Sequence, residues 1–157
     1  VALIDLKLVE EAGFFRRTLE CAVVKLVCEK AAVKELSDDF VLALKANLNL
    51  QDFYLENPAP DKLMELDNEF HHLLFSCVDK ERCYRMCCDI GIHFDRIRHL
   101  ALHTVKELKI VGDHHDILSA ICACDADRAY ALMAAHLTRF EIDEKLIKNK
   151  YPEYFVN

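Results

Sequence analysis

The chain has 157 residues, of which 53% are hydrophobic and 30% charged, and its formal net charge is −7. This length predicts one domain with a core that needs no disulfides, and the acidic balance argues against a nucleic-acid-binding surface, which requires a basic patch. We find no signal peptide and no apolar run long enough to span a membrane, so we expect a cytoplasmic protein without membrane contact.

Helical spacing of apolar residues runs through the whole chain, and only three glycines and three prolines interrupt it. We predict six helices, over about 3–32, 38–54, 60–78, 80–107, 114–123 and 126–148. Ser37, Asp79 and Asp125 are the predicted N-caps of the second, fourth and last helices. The pattern therefore predicts an all-α fold, an antiparallel helical bundle in which residues 1–157 form a single domain.

The eight cysteines, at positions 21, 28, 77, 83, 87, 88, 122 and 124, do not include a CxxC pair. A zinc ribbon needs two such pairs, so this type of site is excluded. Most of the cysteines lie among apolar residues at helical spacing. We expect them to be mostly small buried hydrophobic residues in a reducing compartment.

The third helix contains the segment LDNEFHHLLF, residues 66–75. Its apolar stripe consists of Leu63, Leu66, Phe70, Leu74 and Val78. Asp67 and His71 fall within that stripe, one turn apart, whereas His72 points outward. A buried carboxylate is unfavourable unless it is paired or bound to a cation. Two interpretations are open: a local pair in which Asp67 holds the His71 ring, or half of a metal site.

The fourth helix has an apolar stripe made of Met86, Ile90, Phe94, Ile97 and Ala101. His93 lies within this stripe, and the run HFDRIR places Arg96 and Arg98 about one turn beyond it. An inward arginine beside a metal suits a carboxylate ligand, because its planar fork bonds both oxygens. For Arg98 the alternative is a surface salt bridge, with Asp95 or Asp113.

The remaining histidines divide into inward and outward positions. His99 and His103 stand one turn apart but off the stripe of the fourth helix; the pair could bind metal, yet we expect it to be simply exposed. His114 lies on the inner face of the short fifth helix, with His115 at its edge, and His136 lies on the inner face of the last helix. Three helices thus each present an inward His or Asp, which leaves a shared metal site and separate core histidines as competing interpretations.

Four segments resemble the effector-binding domain of GntR-type bacterial transcription regulators, in the subgroup named after the fatty-acid regulator's C-terminal domain. FFRRTLECAVV is similar to the family's Arg-x-x-Leu-Glu opening, and LDNEFHHLLF to Asp-x-x-Phe-His-x-x-Leu. DHHDILSAI is similar to Glu-His-x-x-Ile-Leu-x-Ala-Ile, and CDADRAYALMAAHL to Gly-Asp-x-x-x-Ala-x-x-x-Met-x-x-His-Leu. The segments follow the family's order and span nearly the whole chain.

This resemblance implies a ligand set for a metal and a place for an effector. In metal-binding members the three His motifs supply one Asp and three His, which correspond here to Asp67, His71, His114 and His136. Such a set suits Zn²⁺, Ni²⁺, Fe²⁺ or Mn²⁺. The HFDRIR stretch resembles a motif in which an arginine meets the effector, which implies Arg98, Arg96 and His93 as effector-binding residues. The implied effector is a small organic acid.

The resemblance also implies a DNA-binding domain and a second subunit. The family carries an N-terminal winged helix for DNA, and this chain starts at Val1 rather than Met. We therefore expect the sensing half of a longer regulator, a homodimer that reaches DNA only through the absent N-terminal domain. The metal could hold the effector, or it could be purely structural and tie the helices together.

Two other classes of function compete with this interpretation. A metalloenzyme would use an open position on the metal to activate water, but no inward Glu stands out in the sequence as a general base. The paired Glu-x-x-His motifs of di-iron bundles are also missing. A helical interaction module with structural histidines would bind no metal and ignore chelators. We expect the sensor, with no catalytic residues.

Overall fold

The computed structural model describes residues 3–104 and 109–156, except for the side chains at 104 and 140–145. Within these residues the chain forms eight α-helices and a short 3-10 helix at Pro152–Tyr154. The helices are α1 Leu6–Ala32, α2 Asp38–Glu56, α3 Pro60–Cys77, α4 Glu81–Ile90, α5 Ile92–Thr104, α6 Ile110–Cys122, α7 Ala126–Leu137 and α8 Arg139–Lys150. The prediction of an all-α fold is confirmed. None of these helices combines the length and apolar character needed to cross a membrane.

Two of the six predicted helices are each divided in two. The fourth breaks at Gly91, whose N–H donates to the carbonyls of both Cys87 (3.0 Å) and Cys88 (3.2 Å). A β-carbon at position 91 would lie 2.8 Å from the Cys87 carbonyl oxygen, closer than a side chain allows. The last breaks at Thr138, whose hydroxyl donates to the Ala135 carbonyl (2.9 Å). The predicted end of the fourth helix, residues 105–107, lies outside the described residues.

The break at Gly91 also corrects the predicted apolar stripe of the fourth helix. Phe94 and Ile97 in α5 are buried as predicted, but Met86 and Ile90 in α4 are exposed. A continuous helix would have kept all four on one face. Because α4 and α5 are separate helices, they bury different faces, and α4 buries Cys87 instead.

Side-chain caps define the starts of α2 and α7 as predicted. Ser37 accepts a hydrogen bond from the Phe40 N–H (3.1 Å), and Asp125 accepts one from the Arg128 N–H (3.0 Å). The predicted cap at Asp79 is wrong: this residue has φ 57°, and Lys80 occupies the N-cap position without a side-chain hydrogen bond.

The core of the bundle forms where α1 packs along α7, α2 along α3, and α6 against α7. A second, smaller apolar cluster joins α5 and α8 to the two ends of the chain and includes Ile4, Phe94, Ile97, Ile147 and Phe155. Of the cysteines, Cys21, Cys28 and Cys87 are buried, whereas three are exposed, so general burial was the wrong expectation for Cys88, Cys122 and Cys124. Within residues 3–104 and 109–156, buried polar side chains gather where α3, α6 and α7 meet.

Candidate metal centre

The four predicted ligands meet in the interior of the bundle. Asp67 and His71 lie one turn apart on α3, His114 lies in the first half of α6, and His136 lies in the last turn of α7. All four side chains are buried, and His114 has no exposed surface. One oxygen or nitrogen atom from each residue lies within 4.8 Å of the others. The helical periodicity had predicted the inward orientation of each residue, and the structure brings the four together.

Of four separations between these atoms, three match the spacing of ligands around one metal ion, and the fourth, 3.9 Å, is longer. His136 Nε2 lies 3.2 Å from His71 Nε2 and 3.2 Å from His114 Nε2. Asp67 Oδ1 lies 3.3 Å from His114 Nε2 and 3.9 Å from His71 Nε2. Two ligands at about 2.1 Å from one ion lie roughly 3.0 to 3.4 Å apart at octahedral or tetrahedral angles.

Each imidazole is held at its outer nitrogen by a different acceptor. His71 Nδ1 faces the carboxylate oxygen Oε2 of Glu20 in α1. Among the described residues, neither Nδ1 of His71 nor Oε2 of Glu20 has another hydrogen-bonding partner. His114 Nδ1 lies 2.9 Å from Gln51 Oε1 of α2, and His136 Nδ1 lies 3.3 Å from an oxygen of Asp113. Such contacts orient a metal-binding histidine and select its tautomer.

This arrangement leaves three lone pairs facing one another. If each Nδ1 carries the proton, as its acceptor requires, each Nε2 is an acceptor only. Nε2 atoms separated by 3.2 Å then cannot hydrogen-bond to each other. A cation between them removes this repulsion, so the residues present fit a transition-metal ion.

Arginines balance the carboxylates that surround the four residues. The pairs are Arg16 with Glu20, Arg98 with Asp67, and Arg139 with Asp113. Arg98 also donates to Asp95 (2.6 Å) and to the Asn68 side-chain oxygen (2.9 Å). Because Arg98 contacts Oδ2 of Asp67, the other oxygen of this carboxylate is left to face the imidazoles.

The acid–base properties of the buried cluster, formed by Asp67, His71, His114 and His136, also suit a metal. Burial alone would raise the pKa of the Asp67 carboxyl, but the Arg98 guanidinium beside it holds this pKa well below its usual range. Burial lowers the pKa of His71, and burial together with the nearby His136 lowers that of His114 still further. Against the effect of burial, Arg16 and His71 lower the pKa of Glu20 to about 2. An ionised carboxylate beside neutral imidazoles is the protonation state that a transition metal binds.

We expect the metal-free chain to lose stability as the pH falls below about 6.5, the pKa of an unfolded histidine. The lowered pKa values of His71 and His114 mean that the unfolded state binds more protons in this range, so stability rises with pH. Each imidazole contributes up to about 1.4 kcal/mol per pH unit. Urea unfolding of the metal-free protein at pH 7.5 and 5.5 measures the effect, and a His114→Gln variant should show a smaller difference. Equal unfolding free energies at both pH values would contradict the assignment.

The three predicted effector-binding residues occupy different places. Arg98 adjoins the cluster through Asp67, and it also forms the salt bridge with Asp95 that was its alternative role. Arg96 lines a cavity of about 470 Å³ to which none of the four cluster residues contributes. His93 Nδ1 accepts a hydrogen bond from the backbone N–H of Asp5 (3.1 Å) at the start of α1. The structure thus places only Arg98 beside the cluster, and the effector-binding role of all three stays a prediction.

The residues that support the histidines were not predicted from the sequence. Glu20 belongs to the Arg-x-x-Leu-Glu segment, where Arg16 lies one turn before it, and both lie among the apolar residues of α1. Gln51 and Asn47 form a similar pair on the buried face of α2, where the Gln51 amide donates to Asn47 Oδ1 (2.6 Å). Polar residues spaced by four within an apolar stripe were the signal in both helices. Asp113 lies just before the predicted start of the fifth helix at residue 114, but α6 begins at Ile110 and includes it.

The family model of the FCD domain matches residues 11–139. The HTH-type transcriptional repressor RspR of Escherichia coli strain K12 is 26% identical over 153 residues, which is 97% of this chain and 65% of that protein. An uncharacterized HTH-type transcriptional regulator of Shigella flexneri, YdfH, shows the same identity and coverage. The chain therefore spans less than two thirds of the length of these relatives.

Proposed function

We propose, given that the chain belongs to the FCD domain family of GntR-type transcription regulators, that its buried cluster is a metal-dependent sensor of a small organic acid. The observation that carries this proposal is the meeting of three Nε2 atoms and one carboxylate oxygen, with every Nδ1 held from outside. The outer contacts orient the ring nitrogens toward one point. This point has the properties of a metal site rather than of a chance group of core histidines.

The residues that would hold the ion are Asp67, His71, His114 and His136. Three imidazoles and a carboxylate suit Zn²⁺, Ni²⁺, Fe²⁺ or Mn²⁺. When bound, the ion would link α3, α6 and α7 and would offer its remaining coordination positions to oxygen ligands. Four protein ligands fill only part of an octahedral shell, so an acid can bind without displacing any of them.

The charges around the cluster favour an anionic effector. Four carboxylates and three guanidiniums lie within the cluster or beside it: Asp67, Glu20, Asp95 and Asp113, with Arg16, Arg98 and Arg139. A divalent cation would change this net charge from −1 to +1. An organic acid would return it toward neutrality, which matters in a buried site. Arg98 is the arginine best placed to take part, because its guanidinium already contacts Asp67.

The sensing event would be transmitted to DNA through a domain that this sequence does not include. The ligands come from α3, α6 and α7, and Arg98 comes from α5, so an acid that binds between them would favour one arrangement of these helices. In a homodimer such a shift would change the spacing of the two DNA-binding domains. A cytoplasmic location belongs to the same proposal.

A regulatory role fits the cluster better than a catalytic one. Hydrolysis at a metal would require a carboxylate free to take a proton from water. Glu20 and Asp113, the carboxylates that contact the imidazoles from outside, are each paired with an arginine. Both also face away from the point where the Nε2 atoms meet, since they contact the Nδ1 atoms.

The test is a panel of small mono-, di- and hydroxycarboxylic acids, measured by the thermal unfolding of the metal-loaded chain. At a concentration of about 100 times Kd, an effector should stabilise the protein by roughly 2.7 kcal/mol. That corresponds to a rise in Tm of about 5 to 10 °C. Neutral amides of the same acids are the matched ligands and should have no effect.

Two comparisons show whether the metal and Arg98 are involved. The metal-free chain should not respond to the acid, and the Arg98→Lys variant, which lacks the planar fork, should respond to a lesser degree. An acid that stabilises the metal-free and metal-loaded chains equally would contradict the proposal. So would a panel in which no acid changes the Tm of the metal-loaded protein.

A further inference from the structure

A second group of metal-ligand side chains lies on the surface of the protein. Asp61 stands in the first turn of α3, and His99 and His103 stand one turn apart in the second half of α5. Asp61 Oδ1 lies 3.0 Å from His99 Nε2 and 3.6 Å from His103 Nε2, and the two ring nitrogens are 3.3 Å apart. The three atoms form a triangle with sides close to those within the buried cluster.

Hydrogen bonds between neutral rings do not account for this triangle. If His99 Nε2 carries a proton and donates it to Asp61, the same atom cannot accept a proton from His103. If His103 donates to His99 instead, His99 Nε2 has no proton for Asp61, and a lone pair faces a carboxylate oxygen only 3.0 Å away. No neutral tautomer satisfies all three contacts, whereas a cation among the three atoms satisfies all of them at once.

We propose that Asp61, His99 and His103 form a second site, which binds a divalent transition-metal ion at the protein surface. Ligands about 2.1 Å from one ion are roughly 3.0 to 3.4 Å apart, and the three observed separations lie in or near that range. Two imidazoles and one carboxylate favour Cu²⁺, Ni²⁺ or Zn²⁺ over Mg²⁺ or Ca²⁺. This site is distinct from the sensor cluster and shares no residue with it.

The exposure of the three side chains determines how the site behaves. Asp61 is 76% exposed, His99 50% and His103 41%. An ion bound there would keep several water ligands and exchange with the solvent, whereas an ion in the buried cluster would exchange slowly. The surface site therefore responds to the free metal concentration.

The position of the site connects two helices that also build the sensor. Asp61 precedes Asp67 on α3, and His99 directly follows Arg98 on α5. An ion held by Asp61, His99 and His103 would join these helices at the surface, as the Asp67–Arg98 pair joins them inside. His99 also lines the cavity of about 470 Å³, which gives space beside this residue for the water ligands of the ion.

Equilibrium dialysis of the chain against Zn²⁺, followed by elemental analysis, tests the proposal. We expect the wild-type chain to bind one more ion than the His99→Ala, His103→Ala or Asp61→Asn variants. His115→Ala is the matched control, because His115 is also exposed and pairs with a single aspartate, Asp52, without a second histidine. This control should bind as many ions as the wild type.

A further variant distinguishes metal binding at the surface site from metal binding in the buried cluster. His114→Ala/His136→Ala should keep the exchangeable ion that His99→Ala loses. The two sites are therefore tested independently, and absence of metal at one does not imply absence at the other. The proposal is overturned if His99→Ala and the wild type bind equal amounts of Zn²⁺, or if His115→Ala loses the same equivalent. Because the three residues are exposed, circular dichroism should show that every surface variant is folded.

Discussion

Removal of the metal should lower the unfolding temperature of this chain by about 8 to 16 °C. We expect the protein, purified without an affinity-tag metal column, to contain one transition-metal ion held by Asp67, His71, His114 and His136. At a free metal concentration near 1,000 times Kd, such an ion stabilises the folded state by about 4 kcal/mol. For a domain of this size each kcal/mol changes Tm by about 2 to 4 °C.

The physical reason for this large effect lies in the metal-free cluster. Without a cation, three Nε2 lone pairs and an ionised carboxylate face one another in a buried space. The bound ion turns this repulsion into coordination bonds and links three helices that are distant in sequence. Elemental analysis and thermal unfolding, with and without a chelator, measure the two consequences separately.

The His114→Ala/His136→Ala variant should contain no buried metal, and chelator should change its Tm far less than that of the wild type. His115→Ala, which alters an exposed histidine next to the cluster, should behave as the wild type. If the wild type also contains no metal and ignores the chelator, the three histidines are core side chains held only by Glu20, Gln51 and Asp113, and the metal-dependent sensor is excluded.

The replacement of Glu20 by alanine should have the second large effect. Glu20 lies between Arg16, to which it is ion-paired, and His71 Nδ1. Without the carboxylate, the Arg16 guanidinium, whose side chain is only 12% exposed, loses this partner. Loss of a fully buried partner typically costs about 3 to 5 kcal/mol, so we expect a destabilisation of up to about that size. The His71 ring also loses the contact that orients it, so metal affinity should fall about 10- to 100-fold. Urea unfolding and metal competition measure the two losses.

A double variant separates the two roles of Glu20. In Arg16→Met/Glu20→Leu both charges are replaced by apolar side chains of similar size, which is often neutral for stability. We expect this variant to recover most of the lost unfolding free energy but not the metal affinity, because His71 still lacks its acceptor. If affinity returns together with stability, Glu20 serves only to neutralise Arg16, and its role in orienting His71 is wrong.

The sequence by itself determined the helical fold and the inward orientation of the four ligands. Apolar residues spaced by three and four define the buried face of a helix from local information alone. Asp67, His71, His114 and His136 fall on such faces, and the structure buries each of them. The caps at Ser37 and Asp125 were predictable for the same reason, because each hydrogen bond lies within four residues along the chain.

Only the tertiary structure decided which residues support these ligands from other helices. Periodicity gives the direction of a side chain relative to its own helix axis, but it does not say which helix lies opposite. Glu20 meets His71 across 51 positions of sequence, and Gln51 meets His114 across 63. The meeting of Asp61 with His99 and His103 depends in the same way on packing. A local pattern carries no information about contacts that form only when separate helices come together.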